Sequence, residues 1–73
     1  MNNKLNIVIT ENLRKEIETS GKSKTEIAKA IGVSNSTISQ YLSGRAQPTL
    51  ATLSRLCNFL DCSADDILQI KLK

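Results

Sequence analysis

Ser23-Lys24-Thr25-Glu26 with Gly32 a few residues downstream confines this stretch of chain to a helix of about two turns. The serine hydroxyl can accept the Glu26 backbone N–H while the Glu26 side chain reaches back to the serine N–H, so a helix starts there. Gly32 stands where a chain leaves a helix in the left-handed conformation without a steric penalty. Ser34 can cap a new helix almost at once, and Ser43-Gly44 ends that one in turn. Ile27, Ala28 and Ile31 give the first of these two helices a narrow apolar stripe, and Ile38 and Tyr41 are the inward candidates of the second. Two short helices joined by a tight elbow are the ingredients of a helix-turn-helix, with Ala28 small enough for close crossing.

The flanking segments are helical as well. Leu5, Ile9, Leu13 and Ile17 recur every four residues and predict an amphipathic helix that ends near Ser20-Gly21. Its start has two readings, because Leu5, Ile7 and Ile9 also alternate with a strand-like period of two, in which case Thr10 would be the N-cap. Arg45-Ala46-Gln47-Pro48 is a connector, and Thr49 caps a helix with Leu50, Leu53, Leu56, Cys57 and Leu60 at core spacing. Ser63-Ala64-Asp65-Asp66 signals a fifth start before Ile67 and Leu68. The tail Ile70-Lys71-Leu72-Lys73 alternates apolar and basic residues, and either frays or serves as an edge strand in a dimer contact.

The 73 residues fit one domain spanning 1–73, and the core must be aliphatic, because aromatic residues are only 3% of the chain while Ile and Leu supply eight and nine positions. That inventory suits packed helices. Histidine is absent, which removes the commonest general acid-base residue and the commonest metal ligand. Cys57 and Cys62 supply at most half of a four-coordinate zinc site and read as reduced, buried small hydrophobes. No catalytic set, metal or cofactor is expected. No apolar run reaches the ~18 to 20 residues that span a bilayer, and no secretory signal opens the chain, so a soluble cytoplasmic protein without membrane contact is expected.

Charge is unevenly placed. Residues 1–21 carry three bases and three acids, as do residues 46–73, so the formal excess of +3 falls wholly between Lys22 and Arg45. There Lys22, Lys24, Lys29 and Arg45 face the single acid Glu26, a footprint that a polyanion would recognise.

The stretch 23–68 resembles the phage-repressor and Cro-type helix-turn-helix domains, the XRE-like family, and looks like a small phage lysogeny-switch regulator. The resemblance rests on Ser23-Lys24-Thr25-Glu26-Ile27-Ala28, on Ile31-Gly32-Val33-Ser34 at the turn, and on Ser36-Thr37-Ile38-Ser39-Gln40-Tyr41. Gly44-Arg45, Pro48-Thr49-Leu50 and Leu60-Asp61-Cys62-Ser63 extend it. It implies an all-α, compact five-helix bundle of the lambda-repressor-like kind, whose third helix reads double-stranded DNA as part of a homodimer. Asn35, Ser36 and Gln40 match the base-reading positions of the family, Thr37 suits a thymine methyl or a phosphate, and Lys24 and Arg45 match its phosphate contacts.

Two departures from the family pattern support a rival reading. The third helix carries no Arg or Lys, the commonest specific partners of guanine, and Leu42 replaces a residue that is usually polar. On that reading Tyr41 and Leu42 form a surface that docks onto a heterologous repressor protein and blocks its DNA binding, as an antirepressor does.

Overall fold

The computed structural model describes residues 4–68, and these form five helices and no strand: α1 (Lys4–Thr19), α2 (Lys24–Ile31), α3 (Asn35–Ser43), α4 (Leu50–Leu60) and α5 (Ala64–Leu68). The all-α five-helix expectation therefore holds. The 70–73 tail, with its suggested edge-strand pairing, lies outside the described residues.

Each start and stop has a local cause. Ser23 accepts the Glu26 N–H at 3.1 Å and donates its own N–H to Glu26 Oε1 at 2.8 Å, the reciprocal pair that opens α2. Gly32 closes α2 at φ +79°, with its N–H on the Ala28 carbonyl at 2.9 Å. Ser34 then accepts the Thr37 N–H at 3.1 Å, and α3 begins only three residues after α2 ends. Thr49 caps α4 through the Thr52 N–H at 3.2 Å, and Ser63 and Asp66 exchange two bonds of 3.0 and 3.2 Å at the start of α5.

The core is aliphatic. Leu13 and Ile17 of α1, Ile27, Ala28 and Ile31 of α2, Ile38 and Tyr41 of α3, Leu53, Leu56 and Cys57 of α4, and Ile67 of α5 are buried together. Each fully buried Ile or Leu stabilises the fold by roughly 1.5–3 kcal/mol relative to exposure, before chain entropy is counted. α1 lies against α3 and α5, and α2 against α3 and α4, so α3 has its inner face held from two sides and its outer face open. Asn12 adds a polar tie, donating from Nδ2 to the Ile67 carbonyl at 3.0 Å.

Of the two readings of the α1 start the helical one holds, and one core expectation, Leu50, is corrected. The alternation of Leu5, Ile7 and Ile9 does not mark a strand: α1 is already helical from Lys4, and Thr10 is a buried mid-helix residue rather than its cap. Leu5 and Ile7, two positions apart, point to different sides of a helix, and both are exposed, with no element among the described residues covering this first turn. Leu50 shares the spacing of the α4 core residues yet is 82% exposed, since the first position of α4 lies beyond the edge of the packed bundle. No helix among the described residues is long and apolar enough to cross a membrane.

Candidate nucleic-acid interface

α3 presents an outer face of Asn35, Ser36, Ser39, Gln40 and Ser43, all exposed, at the spacing that lines up one side of a helix. Ile38 and Tyr41 anchor the opposite side in the core, with Ile38 0% exposed, so the direction of the polar face is fixed by packing. Ser36, Ser39, Gln40 and Ser43 line a shallow surface hollow together with Arg45 from the α3–α4 connector. Arg45 reaches this position because Gly44 turns the chain at φ +84°, and the Arg45 N–H bonds the Gln40 carbonyl at 3.0 Å.

Lys24 joins the same face from α2. Its Nζ donates to Ser39 Oγ at 3.1 Å, which carries the ammonium across the helix-turn-helix to the side of Gln40 and Arg45. The two cations expected to hold phosphate thus flank one ridge instead of pointing apart. Asn35 is braced in a similar manner, donating from Nδ2 to Thr25 Oγ1 at 3.1 Å. These two ties cross from α2 to α3 and pre-set the pair as one unit, which lowers the ordering cost of any contact made by its outer face.

Not every nominated residue sits on the ridge. Thr37 is half-buried, and its hydroxyl lies 3.0 Å from that of Ser34, so it forms part of the α3 cap and does not line the hollow. The α2 N-terminus offers few N–H groups to an anion, because the Glu26 N–H is taken by Ser23 and the Glu26 carboxylate itself sits there. Lys22 is turned to Phe59, with its Nζ 5.3 Å from the ring centroid. The residues that the sequence reading passed over are Ser39, Ser43 and Thr25. Ser39 follows Asn35 by four positions and Ser36 by three, so helical periodicity was the signal that identifies it.

Of the two residues nominated for protein docking, Tyr41 is not on the surface. Tyr41 is 5% exposed and belongs to the core, and Leu42 is half-buried against it, with its carbonyl accepting Arg14 Nη2 at 2.7 Å. The reason is geometric: Tyr41 follows Ile38 by three positions and shares its buried side of α3.

Cys57 is buried and Cys62 half-buried, both as free thiols. Burial, reinforced by the adjacent Cys57, pushes the Cys62 thiol up to about 12, so it stays protonated at neutral pH and is a poor nucleophile or metal ligand. Among the described residues no group of three or more Cys, Asp or Glu side chains is placed to hold a metal ion.

Comparison with known proteins matches this geometry to one family. A helix-turn-helix family model covers residues 13–67, from the middle of α1 to α5. No curated protein and no solved structure gives a significant match. The matched span contains the capped α2, the Gly32 elbow, the exposed α3 ridge and the connector that carries Arg45, and the chain belongs to the XRE-type helix-turn-helix family of DNA-binding transcription regulators.

Proposed function

We propose that this protein is a sequence-specific transcriptional regulator of the small phage-repressor and Cro type, acting in the cytoplasm, which lays α3 in the major groove of operator DNA. The observation that carries the reading is an uncharged, amide- and hydroxyl-bearing α3 face on which Lys24 bonds Ser39 and Arg45 shares a hollow with Ser39 and Gln40. The cations hold phosphate oxygens and set the register of the helix, while Gln40 and Ser36 meet base edges. Gln40 has the donor and acceptor needed to pair with the N7 and N6 positions of adenine. Asn35 contributes through its carbonyl oxygen, since its amide nitrogen is committed to Thr25.

A few phosphate contacts per subunit give only weak binding, in the range of about 10⁻⁴ to 10⁻⁶ M for nonspecific DNA, so two copies act together on paired half-sites. Burial of Tyr41 takes that residue out of the antirepressor reading, which is left with the half-buried Leu42 and the absence of Arg and Lys from α3.

The test is a salt-series binding assay on duplex DNA flanking its own gene, with a scrambled duplex as reference. The expected result is a linear fall of log affinity with log salt concentration on both duplexes, with tighter binding to the first. Gln40→Ala is expected to relax the preference between them by about 1–3 kcal/mol while leaving the salt slope intact. Equal loss on both duplexes would contradict a base-reading role for Gln40.

A further inference from the structure

Thr10 is the one buried polar residue among those described, 9% exposed on the inner side of α1. A hydroxyl in that position has to have a reason, since an apolar side chain of the same shape would pack without any polar group to satisfy. Its surroundings supply one. A Cβ placed on Gly44 would lie 3.3 Å from Thr10 Oγ1 and 3.5 Å from its Cγ2, so the backbone that ends α3 rests directly on this side chain. From the other end of the connector, Gln47 Nε2 approaches the same hydroxyl oxygen at 3.4 Å, a long hydrogen bond. Arg45 stands between these two points of attachment. Its neighbour Ala46 is half-buried against the core and donates its N–H to the Gln40 carbonyl at 3.3 Å.

We infer that Thr10 is a positioning residue for DNA binding: by seating Gly44 and holding Gln47, it fixes the α3–α4 connector so that the Arg45 guanidinium stays beside Gln40 on the α3 ridge. This rests on the reading of Arg45 as a phosphate contact given above. A residue on α1, in the hollow between α1 and the end of α3 and off the α3 ridge itself, thereby controls whether that contact is made. The Thr10 hydroxyl and methyl both lie against Gly44, the hydroxyl the nearer of the two, and the hydroxyl alone supplies the tie to Gln47. Exchanging the hydroxyl for a methyl, as in Thr10→Val, therefore removes the tie to Gln47 while keeping a side chain of the same shape under Gly44.

The experiment compares Thr10→Val, Thr10→Ser, Gln47→Ala and Arg45→Ala with the parent protein in the salt series, each with a thermal melt. Arg45→Ala is expected to reduce the slope of log affinity against log salt by about 1. Thr10→Val and Gln47→Ala are expected to lower both slope and affinity in the same direction, affinity by about two- to tenfold, as for one hydrogen bond. Thr10→Ser, which keeps the hydroxyl, retains the parent slope. In an Arg45→Ala background, Thr10→Val has no further effect on binding, an outcome that a merely structural role for Thr10 would not give. Because Gln47 is exposed, Gln47→Ala keeps the question answerable even if Thr10→Val melts early. A reduced slope for Arg45→Ala with parent-like slopes for both Thr10→Val and Gln47→Ala overturns the inference while leaving the DNA reading in place. An unchanged slope for Arg45→Ala removes the reading of Arg45 and the inference with it.

Discussion

Arg45→Glu is expected to weaken binding to every duplex by about ten- to a hundredfold at moderate salt and to lower the salt slope by at least about 1, with little change in the melt. The size follows from two contributions. With Arg45 in the proposed phosphate-holding role, loss of the guanidinium removes one contact and the counterion release that goes with it, and the new carboxylate adds repulsion beside the strongest negative charge that DNA presents. Stability is spared because Arg45 is exposed and enters the fold through its backbone N–H, on the Gln40 carbonyl, which glutamate keeps. Lys24→Glu is a less clean test of the same idea, since Lys24 also ties α2 to Ser39. Measurement of the slope by fluorescence anisotropy on a labelled duplex decides the matter: loss on specific and scrambled DNA alike supports a phosphate role, and loss on one only would assign Arg45 to base reading.

The second large effect lies in the core. Ile38→Ala is expected to cost about 2–5 kcal/mol, because the side chain is fully buried between α3 and the helices that hold it, and so small a bundle closes poorly around the cavity. For a domain of 60–100 residues each kcal/mol shifts the melting temperature by roughly 4–8 °C, so the midpoint falls by about 10 °C or more, and the variant approaches the limit of a domain this small. DNA binding fails with it, in a way that differs from Arg45→Glu: binding by the folded fraction keeps the parent salt slope at low temperature. A melt within a few degrees of the parent would mean that α3 is not anchored through Ile38.

How much of this was legible in the sequence depends on which force decides each feature. Caps and stops are local, and Ser23 with Glu26, Gly32, Ser34, Gly44 and Thr49 were readable because the hydrogen bonds they make lie within a few residues. The core positions of α2 and α3 followed from helical spacing. Leu5 and Leu50 did not, since spacing says which side of a helix is apolar and not how far the neighbouring helix extends to cover it. Thr10 could be read as a cap or as a mid-helix residue, because a hydroxyl beside an apolar alternation looks the same whether it opens a helix or sits under Gly44 and Gln47, which are distant in the chain. The cations of the candidate interface were legible from charge placement, whereas their convergence on one ridge depends on the Lys24 to Ser39 tie, a contact between helices. Thr37 and Asn35 each also have a partner within the fold, which position along the helix does not reveal.

The most direct test of the central claim, that the α2–α3 face is where DNA lies, is residue-by-residue mapping of backbone amide shifts by NMR as duplex DNA from beside its own gene is titrated in. The expected perturbations saturate and cluster on residues 24, 35, 36, 39, 40, 43 and 45, with α5 and the outer face of α1 quiet. Saturable shifts centred on the exposed first turn of α1 or on α5, with the α3 ridge unmoved, would contradict the account.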